Sequence, residues 1–351
     1  MKTDKESALR IKISKSRGVS RIIIIRRILI AVVIVGVSIV ELKAQNTFRV
    51  GFYNVENLFD TQNDPSTDDD EYTPASKKEW NSSRLAQKVD SLAKVILQLE
   101  VDLLGLCEVE NASVLQLLIK HPLLRNKAYN FVHYDSRYHR GVDVALLYST
   151  LSFEVVRSRA YPLYFDFDTS ASTRDILYVC GLIHKNKRDT LHLIVNHWPS
   201  RRNEETYRLV AAKKVKSIIK EQKLSRSIIL IGDFNDEPSD RSIYHILEAK
   251  GKLEEIPSSG FYNPFYELKK QGLGTHSFRG EWHLLDQVIL SPDFLTNARG
   301  WRYQVASASI FSPSWLRNQY GEPFRTYIGD RYAGGFSDHF PVFITLERRG
   351  K

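Results

Sequence analysis

Ile228-Ile229-Leu230-Ile231-Gly232-Asp233-Phe234-Asn235 opens with four successive apolar residues and turns polar at Asp233 and Asn235. A strand with one wet face alternates apolar and polar residues, so this run predicts a strand covered on both faces. Polar groups that close such a strand face the mouth of the sheet, where a site can assemble. Leu103–Val109 has the same form and ends beside Glu108 and Glu110; Leu191–His197 closes on Asn196 and His197. Further strands are predicted at Phe48–Asn54, Tyr129–Tyr134, Val142–Tyr148, Phe153–Tyr161, Leu177–His184, Leu285–Leu290 and Val342–Leu346. Helical spacing of apolar residues marks 84–100, 112–120 and 204–222. No Pro/Gly/Ser linker divides the chain, so one domain of many strands with helices outside is expected over 46–351.

The 351 residues are 42% hydrophobic and 26% charged, which excludes a disordered chain, a collagen-like repeat and a many-span membrane protein. The formal charge of +9 is concentrated at the N-terminus. Residues 1–45 hold ten Lys/Arg against three acids, a net +7, and the rest of the chain carries only +2. Arg26-Arg27 precedes thirteen uncharged residues, Ile28 to Val40, too few for a span of about 20. Residues 1–44 therefore read as a signal peptide cleaved after Ala44, with an uncleaved anchor as the alternative. The protein is expected to be exported, whether periplasmic, surface-bound or secreted. Cys107 and Cys180 lie in apolar runs and are expected as buried free thiols, although export permits a disulfide. The acidic stretch Asp64–Glu71 lacks the spacing of a Ca²⁺ loop and reads as solvated.

Six polar constellations follow directly on apolar runs: Asn54 to Asn57, Glu108, Asn196 to Trp198, Asp233 to Asn235, Asp286, and Ser337 to His339. They combine carboxylates, asparagines and histidines without a serine or cysteine nucleophile in a matching frame. Oxygen-rich donors suit Mg²⁺, Mn²⁺ or Ca²⁺ better than Zn²⁺. A hard cation beside a His/Asp pair suits phosphoester hydrolysis, since the cation offsets phosphate charge while an acid/base group activates water.

Seven segments resemble, in order, those of the endonuclease/exonuclease/phosphatase superfamily, which includes DNase I-like nucleases. They are Val50 to Asp60, Leu104 to Val109, Gly141 to Ala145, Val195 to His197, Ile231 to Asp236, Leu285 to Val288, and Ser337 to Val342. The opening Asn54-Val55-Glu56-Asn57-Leu58-Phe59-Asp60 is similar to that of predicted extracellular nucleases of this superfamily. The resemblance implies a four-layer α/β/β/α sandwich of two mixed sheets, face to face, with outer helices. It implies Glu108 as principal metal ligand with Asn54 and Asp338 near the metal, and Mg²⁺ as the ion, Mn²⁺ or Ca²⁺ being alternatives. His339 with Asp286 matches the catalytic His/Asp pair, Asp233 the group that activates water or protonates the leaving oxygen, and Asn235 a phosphate-oxygen donor. His197 matches a second histidine of DNase-like and phosphatase-like members.

An exported, metal-dependent phosphodiester hydrolase follows, read as a nuclease on DNA or RNA. The alternative is a phosphatase or phospholipase C-type enzyme acting on inositol phosphate or sphingomyelin head groups. Arg140 and Arg201 are candidate substrate contacts. Trp198, Trp282 and Trp315 are weighed as loop packing ahead of base stacking. Phe261 to Tyr266 is the one candidate for an exposed membrane-docking hairpin. Nucleic acid is the expected partner, no stable protein partner is inferred, and a monomer is expected.

Overall fold

The computed structural model describes residues 47–184, 189–296 and 300–348; the expected leader at 1–44 lies outside them. The chain runs through β1 (Thr47–Leu58), helix α1 (Ser82–Leu99), β2 (Leu103–Val109), helix α2 (Ala112–Ile119), β3 (Tyr129–His133) and β4 (Asp143–Ser149). It continues through β5 (Phe153–Tyr161), β6 (Ile176–Ile183), β7 (Asp189–His197), helix α3 (Glu205–Glu221) and β8 (Ile228–Asp233). Short elements follow: β9 (Ala249–Lys250), β10 (Phe261–Tyr262), helix α4 (Phe265–Lys270), and β11 (His276–Phe278) with β12 (Glu281–His283). The last are β13 (Asp286–Leu290), helix α5 (Asp293–Thr296), β14 (Trp301–Tyr303), β15 (Ser309–Ile310), β16 (Tyr327–Ile328), β17 (Arg331–Tyr332) and β18 (Val342–Arg348).

Two seven-stranded sheets result. One has the order β14-β18-β1-β2-β4-β3 with β15 also on β18; the other has β5-β6-β7-β8-β13-β10-β9. Each is mixed, with β1 and β2 parallel in the first and β7 and β8 parallel in the second, among antiparallel neighbours. The alternation of side chains along each strand produces three separate cores. In β2, Leu104 and Leu106 face α1 and α2, while Leu103 and Cys107 face the second sheet. In β8, Ile229 and Ile231 meet that same middle layer, while Ile228 and Leu230 pack under α3 against Ala211, Val215 and Ile218. Three apolar layers between four strata give the α/β/β/α sandwich and explain why central strands such as β2 and β8 are apolar on both faces.

Helix α1 starts where Asn81 accepts from the amides of Ser83 (3.1 Å) and Arg84 (3.2 Å), and it ends at Glu100 in the left-handed region. Its buried stripe Leu85, Val89, Leu92, Ile96 and Leu99 has 3.6-residue spacing. Each such side chain contributes about 1.5–3 kcal/mol on burial. Phe261 and Phe265 are buried in the cores, so the segment Phe261–Tyr266 is not an exposed docking hairpin. Cys107 and Cys180 are free and buried. The sheets approach closely at glycines: a Cβ on Gly105 would lie 2.6 Å from Ile231 Cδ1 across the middle core.

At Gly232, which pairs with Asn196 in β7, a Cβ would lie 2.5 Å from the Asn196 carbonyl oxygen. Backbone cannot yield as a side-chain tip can. Gly232→Ala is expected to destabilise the fold by about 1–3 kcal/mol, read as a lower Tm; an unchanged Tm would show that the sheet accommodates the methyl group.

Candidate active site

The parallel and antiparallel runs end together at one rim, and irregular backbone there turns side chains into it. Between Asn54 and Leu58, β1 spends four residues where β2 spends two; between Cys107 and Val109, β2 spends two where β4 spends one. These bulges carry Glu56, Asn57 and Glu108 at φ of 50°, 54° and 63°, a left-handed backbone that non-glycine residues seldom adopt. Glu108 is thereby swung out of its strand, and its Oε2 accepts from the Asn57 amide at 3.0 Å.

The amide of Asn54 joins the sheets. Its Nδ2 donates to Glu108 Oε1 (3.2 Å) and to Asp233 Oδ2 (3.1 Å) at the end of β8. The Asn54 carbonyl accepts from Ser337 Oγ at 2.7 Å, and the same hydroxyl accepts from the His339 amide at 3.1 Å. This ties the 337–339 loop to β1. Asp286, at the start of β13 and opposite Asp233, holds His339 Nδ1 at 2.7 Å. His339 Nε2 then lies 3.9 Å, and His197 Nε2 3.7 Å, from Asp233 Oδ2. His197 Nε2 is also 4.0 Å from Glu108 Oε1. Asn235, at φ 50°, donates its side-chain amide to the Trp198 carbonyl (2.9 Å), and its backbone N–H donates to Asp233 Oδ1 (2.9 Å).

Electrostatics separate the two histidines. Burial opposes the charge of His339, but Asp286, in contact, and then Asp233 and Asp338 raise its pKa well above the ordinary value. Burial, followed by Arg174, His339 and Arg140, drives His197 well below it. One ring is an imidazolium and the other neutral, a division of the kind acid/base sites use. Burial and then Asp286 push Asp233 up to about 6. Asp338 is held below the carboxylate range: burial raises it, but His339, His276, Arg325 and Lys88 outweigh that effect.

The rim thus brings together Asn54, Glu108, His197, Asp233, Asn235, Asp286, Asp338 and His339. Arg140 belongs to it as well, donating to Asn57 Oδ1 at 2.7 Å and lying in the field of Glu108. Arg201 is tied to Asp240 at 2.7 Å and to His283 at 3.0 Å instead. Trp198 is fully buried and edge-on to Phe234, which is loop packing. Asp143 accepts from the Ser136 amide at 3.0 Å, away from these groups, and forms a separate cluster with His133 and Asp135.

Three residues at the rim carried no sequence signal. Arg174 is buried and donates to the Trp198 carbonyl at 3.0 Å beside His197. His276 lies with its ring centroid 4.5 Å from that of His339, and burial followed by His339 depresses its pKa to about 4. Lys88, buried on α1, donates to Thr326 Oγ1 (2.5 Å) and the Phe336 carbonyl (2.7 Å) from 238 and 248 residues away. No short motif contains any of them; only tertiary contact gives them a place.

Donor groups within 4.8 Å of one another include Cys107/His197/Asp233, Asp233/Asp286/His339 and His276/Asp338/His339. Glu108 is in none of these groups and reaches them through Asn54. Glu108, Asp233, Asp286 and Asp338 crowd a negative field that a divalent cation would relieve. Their oxygens are hard donors, so the residues fit such an ion.

The profile of the endonuclease/exonuclease/phosphatase family matches residues 49–348. No curated protein matches the chain. Similar solved structures include an endonuclease/exonuclease/phosphatase family protein from Bacteroides thetaiotaomicron, at 18% identity, 87% of this chain, 98% of that one and a TM-score of 0.55. A mannosyl-6-phosphatase from the same organism gives 17%, 85%, 99% and 0.55. D. rerio TDP2 complexed with single strand DNA product gives 14%, 86%, 99% and 0.53. At these identities the likeness concerns the fold.

Because Asp286 is the nearest support of the His339 charge, Asp286→Asn is expected to lower the His339 pKa toward the ordinary histidine range. An NMR titration of the imidazole reads this directly; an unmoved midpoint would assign the charge to Asp233 and Asp338.

Proposed function

The chain belongs to the endonuclease/exonuclease/phosphatase family, whose members are hydrolases acting on phosphoester bonds, and on that premise we propose that it is an exported, divalent-metal-dependent phosphodiesterase with nuclease activity. The observation that carries the reading is the buried His339–Asp286 pair at 2.7 Å facing Asp233, which Asn54 links to Glu108. The nuclease choice over lipid head groups is supported by the burial of Phe261 and Phe265, which leaves that segment without an apolar docking surface. Export rests on the sequence of residues 1–44; among the described residues no helix is long and apolar enough to cross a membrane.

Glu108, Asn54 and Asp338 would hold the ion, Mg²⁺ or Mn²⁺. When bound, it supplies Lewis acidity at the phosphate. Asp233, unprotonated above about 6, takes the proton of the attacking water. The His339 imidazolium keeps its Nδ1 proton on Asp286 and directs Nε2–H to a non-bridging oxygen, whose charge grows in the transition state. Neutral His197, beside Asp233 and Glu108, can hydrogen-bond the leaving oxygen, which takes its proton from solvent, and Asn235 is placed for a phosphate oxygen. Arg140 and buried Arg174 add fixed positive charge without solvent screening.

Hydrolysis is expected of nucleic acid in a panel that includes duplex and single-stranded DNA, RNA, sphingomyelin and an inositol polyphosphate. It should be lost with EDTA and in Glu108→Ala; cleavage of lipid or inositol phosphate alone would replace the nuclease by the phosphatase branch. The pH dependence follows from the two required states. Asp233 must be unprotonated, so kcat/KM should rise with pH through about 6. His339 must be protonated, so the rate should fall on the alkaline side as its raised pKa is passed. A profile flat from pH 5 to 7 would remove Asp233 as the base.

A further inference from the structure

We propose that a groove beside the catalytic rim binds single-stranded nucleic acid flanking the scissile phosphate; this rests on the hydrolase reading and names its substrate. The groove encloses about 940 Å³ between the turn of hairpin β11/β12, the 317–325 loop and hairpin β16/β17. Strand β11 connects it to the chemistry. Its first residue, His276, bridges to His339 through the backbone and lies against its ring, and its last, Phe278, is in the groove wall.

Four arginines line the groove: Arg279, Arg317, Arg325 and Arg331. Among the described residues none of them has a carboxylate within 4.0 Å. Arg317 instead donates to the Ser312 and Gly321 carbonyls. The single lining acid, Glu322, is already occupied, accepting from Ser277 Oγ (2.7 Å) and Asn318 Nδ2 (3.1 Å). Arg325 lies in the field of Asp338 and Glu322, and Arg279, Arg317 and Arg331 leave the groove an excess of positive charge in a body of net +2, a local demand for polyanion. Between them stand two exposed rings, Phe278 at 58%, with the Arg279 guanidinium 5.2 Å from its centroid, and Tyr320 at 77% exposure. Cations interleaved with exposed aromatic rings match a chain that alternates phosphates with bases. A duplex hides its base faces in the stack, so the rings select single strands. Arg201 is already satisfied by Asp240, and the tryptophans are engaged in packing, so neither set competes for this role.

Fluorescence anisotropy of a labelled single-stranded 12-mer with the full-length protein in EDTA tests this apart from cleavage. Phe278→Ala and Tyr320→Ala are each expected to weaken binding about tenfold. Arg279→Gln/Arg331→Gln should lower the slope of log Kd against log salt by about 1.4, two phosphate contacts' worth. Val156→Ala, exposed on β5, serves as the control, and thermal unfolding of each variant reports its fold. Equal affinity for duplex and single strand, or ring variants within twofold of wild type, would overturn the groove. Hydrolysis of bis(p-nitrophenyl) phosphate without oligonucleotide binding would also overturn it while leaving the hydrolase intact. Oligonucleotide binding that the ring variants weaken, without cutting in Mg²⁺, would support the groove and overturn the nuclease reading.

Discussion

The side-chain amide of Asn54 is the polar tie on which the site depends. Apolar packing alone holds two sheets together without fixing their relative register to the fraction of an ångström that acid/base geometry needs. Asn54 is buried, so its two N–H groups must find acceptors. It finds one carboxylate on its own sheet, Glu108, and one on the other, Asp233. Satisfying one amide therefore brings two acids together, and that proximity sets up a site that favours a cation. The 337–339 loop is attached to the same residue through Ser337. One residue thus positions parts of the chain 54 and 179 residues away through its side chain and a third, 283 residues away, through its backbone carbonyl.

The two histidines show how position alone makes one side-chain type serve two ends. His339 touches the Asp286 carboxylate, while His197, 3.7 Å from Asp233 and 4.0 Å from Glu108, is kept neutral by burial first and then by Arg174, His339 and Arg140. The charge on His339 is one reason His197 stays neutral. A change that discharged His339 would relax His197 and His276 together, so the three rings respond as a set and their titrations belong to the cluster.

Legibility in the sequence followed the length of each signal. Runs such as Leu103–Val109 and Ile228–Asp233 form strands at the limits their residues predict, because burial on both faces makes each run apolar up to the polar residues at its end. The two-residue pairings of Tyr327–Ile328 and Arg331–Tyr332 carry no periodicity at all, and the groove depends on them. At the site, residues that close apolar strands were readable, since that position directs them to the mouth. Arg174 and Lys88 were not, because a buried cation in a loop or on a helix has the same local sequence as a solvated one. Arg201 shows the converse: it follows His197 in sequence, yet the chain turns it toward Asp240.

The left-handed backbone at Glu108 has a bearing on how the sequence can drift. A glutamate at φ 63° is held against its own preference, and glycine or asparagine would occupy the position with less strain. While hydrolysis is under selection, the acid stays. In a lineage released from that selection, loss of the carboxylate at 108 would relieve the backbone while leaving the Asn54 and Asn57 donors without their acceptor, whereas loss of Asn54 would leave Asp233 buried without its tie and bring no such relief. Decay of the chemistry should then start at the bulge and spare the asparagine. Descendants that keep Asn54 but carry a small residue at 108 would be catalytically silent proteins that had exchanged a strained backbone for two donors in need of a new acceptor.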